Sequence, residues 1–163
     1  MGSGKSTIAK LAAKKMGLPF IDLDTKIEER ENASVENIFE RNGEIYFRKI
    51  EHEVFKELMA SNENFLLSLG GGTPCYAGNH EFLNGFNITS IYLKASIKEL
   101  CERLIKSKIK RPLIANMNNE ELSEFIARHL FERSFFYTKA THTIVVDGKS
   151  PSLIVSQIEL LVK

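Results

Sequence analysis

The first seven residues, Met1-Gly2-Ser3-Gly4-Lys5-Ser6-Thr7, run straight into a segment of helical period. Gly4-Lys5-Ser6 is the second half of a Walker A phosphate loop. Glycines let successive backbone N–H groups curl around one anion, and the following helix adds the positive end of its dipole there. Read this way, Gly2, Ser3, Gly4, Lys5, Ser6 and Thr7 cradle the phosphates of ATP. Lys5 reaches the β- and γ-phosphates, and the Ser6 hydroxyl ligates Mg²⁺. The plainer alternative is a flexible Gly/Ser-rich terminus, which leaves the helix and apolar strand that follow without explanation. A second feature is Asp22 with Asp24. The chain carries 18 Glu but three Asp, and two of those three stand together at the end of an apolar run. Such a pair either closes a strand in an Asx turn or supplies carboxylates for a metal and a proton. Further along come Arg48 after Phe47, the triplet Gly70-Gly71-Gly72, the basic run Lys106, Lys108, Lys110, Arg111 beside Pro112, and Arg133. Arginine offers a planar fork that suits carboxylates and phosphates. Taken singly, each arginine would equally suit a solvated helix face.

The elements that must position these residues follow from periodicity. Apolar runs at 18–22, 65–69, 88–93 and 143–146 predict strands, and helical patterns predict helices over 5–16, 44–59, 97–106, 120–137 and 151–162. Gly17 is placed to close the first helix, Ser96 with Glu99 reads as a capping box, and Ser150-Pro151 reads as an N-cap with proline at N1. Strands and helices alternating at this rhythm predict an α/β fold with a parallel sheet flanked by helices. Two stretches break the rhythm: 24–41 reads as short helices, and 107–119 is polar with Pro112 and no apolar period. A loop of that length in a compact domain points to function or disorder.

Composition narrows the classes. In 163 residues, 22 Lys and Arg face 21 Asp and Glu, for a net charge of +1, so the basic footprint of a nucleic-acid binder is missing. No apolar run reaches the roughly 18 residues of a membrane span. Two cysteines, Cys75 and Cys101, without CxxC or nearby histidine spacing, fit neither a disulfide scaffold nor a zinc site. The four histidines share no motif and read as structural or exposed. The expectation from composition is a soluble globular domain of a reducing cytoplasm, with no nucleic-acid or membrane partner.

Taken together and in order, GSGKST, Phe20-Ile21-Asp22-Leu23-Asp24, Gly43-Glu44, Phe47-Arg48 with Glu51, Gly70-Gly71-Gly72, Arg111-Pro112-Leu113 and Arg133 with Tyr137 closely resemble the shikimate kinase family over essentially the whole chain. The resemblance implies a three-layer P-loop fold of the nucleoside-monophosphate-kinase type. It implies one domain, 1–163, with a substrate-binding cap over about 24–60 and a lid over about 107–119. It implies ATP-dependent phosphorylation of shikimate to shikimate 3-phosphate, a step toward chorismate and the aromatic amino acids, with Mg²⁺ required.

The family's two carboxylate-binding arginines match Arg48 and Arg133, its ring-hydroxyl aspartate and proposed base matches Asp24, and its substrate-contacting glycine matches Gly71. The lid arginine that steadies the transferring phosphoryl group matches Arg111. Lys5, Asp24 and Arg111 are thus the expected catalytic residues, with Ser6 and Asp22 expected at Mg²⁺. In the family, Met1 falls inside the loop, so the first glycine of the loop and the strand feeding it are expected to be missing from this chain. That strand lies inside the family's sheet. Two neighbouring strands are then expected to show unpaired edges, Met1 to be an internal methionine of a longer protein, and this chain to be unstable and to bind ATP poorly. Two alternatives stay open: a kinase of another small metabolite such as gluconate, and a nucleotide-binding protein made inactive by that loss.

Overall fold

The computed structural model describes residues 2–106, 114 and 116–162. Helix α1, Lys5–Met16, starts on left-handed Gly4 and ends on left-handed Gly17, whose N–H bonds the Ala13 carbonyl. Its Ile8, Ala9, Ala12 and Ala13 are buried, the three alanines small enough to bring the helix close against the strands. Strand β1, Phe20–Asp22, pairs in parallel with β2, Leu66–Ser68. Strand β3, Ile91–Lys94, pairs in parallel with β4, His142–Val145. All four expected strands are present and parallel; β1, β2 and β3 are shorter than their apolar runs, and β4 has the same length as its run, shifted one residue toward the N-terminus. Ahead of β3, Asn87 is left-handed and the Ser90 hydroxyl bonds the Leu83 carbonyl at 2.6 Å, while the Ser90 carbonyl still accepts the His142 N–H of β4 at 3.0 Å.

Among the described residues the strands form two pairs rather than one continuous sheet. Between β2 and β3 lies a cavity of about 800 Å³ lined by residues such as Ile8, Leu67, Phe82 and Leu93. Residues of both β2 and β3 line this cavity, together with Lys5 and Arg133.

Helix α2, Leu23–Glu31, is capped by the Asp22 carboxylate, and α3, Val35–Met59, by the Ser34 hydroxyl. The sequence separates 24–41 from 44–59, and the structure shows why. Gly43 has φ 79° and ψ 175° inside α3, a backbone that only glycine adopts readily, and it kinks the helix. After the kink, Glu44, Arg48 and Glu51 follow at helical spacing on one face. Helix α2 and both parts of α3 share a core of Leu23, Ile27, Ile38, Phe47, Val54 and Phe55.

The other core joins α1, β3, β4 and three later helices: α4 (Ile97–Lys106), α5 (Asn119–Tyr137) and α6 (Pro151–Leu161). At the start of α4, the capping box is only half formed. The Ser96 hydroxyl accepts from the Glu99 N–H, but Glu99 turns its carboxylate to Arg103, and Asp147 takes the Ser96 N–H instead. A complete box opens α5, between Asn118 and Glu121. Ser150 and Pro151 open α6 as the sequence predicts. Of the expected lid, residues 107–113 and 115 lie outside the described residues, Arg111 among them, while Ile114 is fully buried in the core.

Candidate active site

The phosphate loop is built by its glycines. Gly2 and Gly4 both hold positive φ (79° and 84°), and a Cβ on Gly2 would stand 3.1 Å from Leu104 of α4. Arg103 braces the turn by donating to the Ser3 carbonyl at 3.1 Å while Glu99 holds its other nitrogens at 2.8 Å. Arg103 escaped the sequence reading because it lies about a hundred residues from the loop. At the helix mouth the Ser6 hydroxyl donates to Asp22 Oδ2 at 2.9 Å and sits 3.2 Å from the Ser68 hydroxyl. Asp22 also accepts the Asp24 N–H at 3.1 Å through Oδ1. One Asp22 oxygen thus closes the Asx turn, and the other meets Ser6 of the phosphate loop. Ser6 and Asp22 are hard oxygen donors, which Mg²⁺ prefers. Among the described residues no group of three or more His, Cys, Asp or Glu could hold a metal, so phosphate oxygens and water would have to complete the shell.

Asp24 lies behind this pair, on the first turn of α2. Burial lifts its pKa above the ordinary carboxylate value, the neighbouring charges of Asp22 and Glu51 lift it further, and Lys5 opposes them. The strand-exit glycines let the groups converge. A Cβ on Gly70 would lie 3.3 Å from Asp24 Oδ1, 3.3 Å from Glu51 Oε1 and 3.0 Å from the Thr73 hydroxyl.

Arg48 faces the same turn. Its Nη1 donates to Glu51 Oε2 at 2.8 Å, and its Nε and Nη2 reach Glu44 Oε1 at 3.3 Å. The Tyr76 ring covers one face at 4.3 Å, and the Tyr76 hydroxyl donates to Glu44. Burial works against the Arg48 charge, but the bond and charge of Glu51, together with Tyr76 and Glu44, outweigh it and keep the guanidinium protonated. The backbone of Gly72 closes another side, where a Cβ would come 2.6 Å from Nη2.

Arg133, on α5, interacts with Tyr137, whose hydroxyl donates to the Gly71 carbonyl at 2.6 Å. Cys75 lies within electrostatic reach of both arginines: burial raises its pKa, and Arg133 and Arg48 pull it back. The structure thus brings Asp24, Arg48, Gly71 and Arg133 around residues 70–75, next to Lys5, Ser6 and Asp22. Thr73, Tyr76 and Asn79 belong to this neighbourhood and were missed. Only Glu51 carried a signal, its position one helical turn from Arg48.

A helix N-terminus wrapped by glycine backbone, opening onto an acidic pair and an arginine-lined turn, defines the class: a P-loop phosphotransferase on an α/β fold. The family model "Shikimate kinase" matches residues 1–162. The chain is 58% identical over 150 residues to a shikimate kinase of Flavobacterium johnsoniae, covering 92% of this chain and 87% of that one. It is 54% identical to one of Flavobacterium psychrophilum, covering 97% and 92%. Among solved structures, shikimate kinase from Bacteroides thetaiotaomicron superposes with a TM-score of 0.89 at 35% identity, covering 99% of this chain and 93% of that one. Shikimate kinase from Acinetobacter baumannii in complex with shikimate superposes with a TM-score of 0.85 at 30% identity, covering 99% and 88%. This chain belongs to the shikimate kinase family, phosphotransferases that act on a hydroxyl group.

Proposed function

We propose that this chain transfers the γ-phosphoryl group of ATP to the 3-hydroxyl of shikimate, a step toward chorismate and the aromatic amino acids. The observation that carries this reading is that Arg48 and Arg133 both reach the segment 70–75 beside Asp24. A ring bearing one carboxylate and three hydroxyls needs cationic forks on one side and an acceptor on the other. Arg48 and Arg133 hold the carboxylate, while the Gly71 backbone and Asp24 fix the ring.

Asp24 takes the proton of the attacking hydroxyl. Its raised pKa suits that task, since a base closer to neutrality accepts a proton more readily in the transition state. The loop N–H groups of residues 2–7 and the Lys5 ammonium bind the ATP phosphates and meet charge as it develops. Ser6 and Asp22 would hold Mg²⁺, which when bound neutralises charge across the phosphate oxygens. Arg111 is assigned to the transferring phosphoryl group on the family resemblance alone. We assign a monomer acting on small molecules in the cytoplasm. The near-balanced charge of +1 speaks against a nucleic-acid partner, and no helix among the described residues is long and apolar enough to cross a membrane.

The test is a coupled assay with ATP, Mg²⁺ and a panel of sugar acids that includes shikimate and gluconate. Turnover of shikimate alone is expected. Faster turnover of gluconate, or turnover without an acid acceptor, would overturn the reading.

A further inference from the structure

Polar groups are costly to bury, and those that are buried fix geometry when every member is satisfied. Among the described residues four polar or charged side chains are buried, and three of them, Glu51 (1% exposed), Thr73 (0%) and Asn79 (1%), lie in one hydrogen-bonded chain. The chain begins at the substrate pocket, where Arg48 Nη1 donates to Glu51 at 2.8 Å. The Thr73 hydroxyl donates to the other Glu51 oxygen at 2.7 Å. Asn79 then donates through Nδ2 to the Thr73 carbonyl at 2.9 Å, and its Oδ1 meets His52 Nδ1 at 2.7 Å. Since the Asn79 NH₂ is committed to a carbonyl, its oxygen faces the imidazole, and His52 must carry its proton on Nδ1.

His52 and Glu51 are consecutive in α3. The relay therefore leaves the helix at His52, crosses Asn79 and Thr73, and returns to it at Glu51. It closes a loop that sets how far residues 70–75 stand from the helix bearing Arg48.

We infer that Asn79 and His52 are positioning residues for the acid-binding pocket. They hold the Thr73 backbone, and through its hydroxyl they fix the Glu51 carboxylate that orients the Arg48 guanidinium. Neither residue needs to touch the substrate. This inference rests on the reading that Arg48 binds the carboxylate of the acceptor.

The experiment measures KM for shikimate and for ATP, and kcat, in Asn79→Leu, Asn79→Asp, His52→Leu and His52→Asn, with Arg48→Ala and the Arg48→Ala/Asn79→Leu double variant alongside. Asn79→Leu keeps the volume but leaves the Thr73 carbonyl and His52 without partners. Asn79→Asp keeps the shape but sets an acceptor against the Thr73 carbonyl. Each should raise the shikimate KM about tenfold or more, the scale of a buried group left unsatisfied, with the ATP KM within about twofold of the parent. The unchanged ATP KM also shows that each variant has folded. Should Asn79→Leu fail to fold, Asn79→Asp and the His52 pair carry the same test.

His52→Leu should shift the shikimate KM in the same sense, and His52→Asn, which returns a donor near Nδ1, should recover most of the loss. In the Arg48→Ala background, Asn79→Leu should add less than about twofold, because its effect passes through Arg48. Shikimate KM values within twofold of the parent, or equal rises for both substrates, overturn the inference. If Arg48→Ala raises the shikimate KM while the Asn79 and His52 variants do not, the inference alone falls. If Arg48→Ala leaves it unchanged, the clamp reading falls and the inference with it.

Discussion

Gly72→Ala isolates the acid clamp from everything else in the fold. The backbone at Gly72 has φ −89° and ψ −22°, ordinary for alanine, so the substitution introduces no dihedral strain. What it introduces is one methyl group pointed at a guanidinium. The added Cβ would lie 2.6 Å from Nη2, 2.7 Å from Nη1 and 2.8 Å from Cζ of Arg48, where ordinary contact begins at 3.4 Å. The guanidinium must therefore retreat by about 0.8 Å, a displacement of the size that costs about 10²-fold in an enzyme whose reacting groups are held in register.

Retreat is not free either. Nη1 is bonded to the buried Glu51 at 2.8 Å, and weakening a hydrogen bond to a charged group costs about 1.5–3 kcal/mol. Part of that loss appears as lower thermal stability and part as weaker acid binding. The expected result is a fall in kcat/KM for shikimate of about 10²-fold with the ATP KM within about twofold. Steady-state kinetics with each substrate varied in turn, together with a melting curve, make the measurement. A Gly72→Ala enzyme with parental kcat/KM for shikimate would show that Arg48 does not need this position, and the clamp geometry would be refuted.

Asp24→Asn should lower kcat by about 10²-fold or more, the range for loss of a general base, and the pH–rate profile of the parent should show its acid limb above the ordinary aspartate value of 3.8. Because the folded state raises this pKa, the folded form binds the proton more tightly than the unfolded chain, and the carboxylate weakens the fold as pH rises through its folded pKa. Asp24→Asn should therefore melt higher than the parent at neutral pH while turning over more slowly, and equal or lower melting would contradict the burial argument. Arg48→Ala and Arg133→Ala should each cost about 2–5 kcal/mol in shikimate binding, read by calorimetry, with ATP affinity retained. Arg111→Ala should lower kcat by about 10²–10³-fold with little change in shikimate affinity; an unchanged kcat would remove it from the transfer step.

Much of the scaffold was legible because it follows local rules. Gly4 and Gly17 bracket α1, Pro151 after Ser150 starts α6, and the four apolar runs become the four parallel strands. Of the candidate site, Lys5, Ser6, Asp22, Asp24, Arg48, Gly71 and Arg133 were legible as motifs, and the structure gathers them; Arg111 lies outside the described residues. What escaped was set by packing across the chain. Arg103 reaches a loop a hundred residues away, and Asn79 looks like a turn residue until His52 and the Thr73 carbonyl are found on its two sides. The Ser96 box failed for the same reason, since Asp147, distant in sequence, won the Ser96 N–H.

The two carboxylates at Gly70 illustrate how such distant contacts divide labour between like groups. Asp24 and Glu51 approach the same point, each 3.3 Å from where a Gly70 Cβ would be. Two unpaired anions so placed would raise one another's proton affinity and compete for any cation in the pocket. Glu51 is taken out of that competition: Arg48 holds one of its oxygens and the Thr73 hydroxyl the other. No comparable side-chain bond ties the Asp24 carboxylate among the described residues, and its pKa is raised by its burial and by its neighbours. One carboxylate is thereby spent on orienting Arg48, the guanidinium proposed to bind the acid, and the other is left available for the proton transfer proposed for Asp24. Pairs of titratable groups driven to different tasks by their surroundings are how one pocket supports both recognition and base chemistry. Here the division depends on Thr73, a residue with no charge and no place in the phosphate-loop motif.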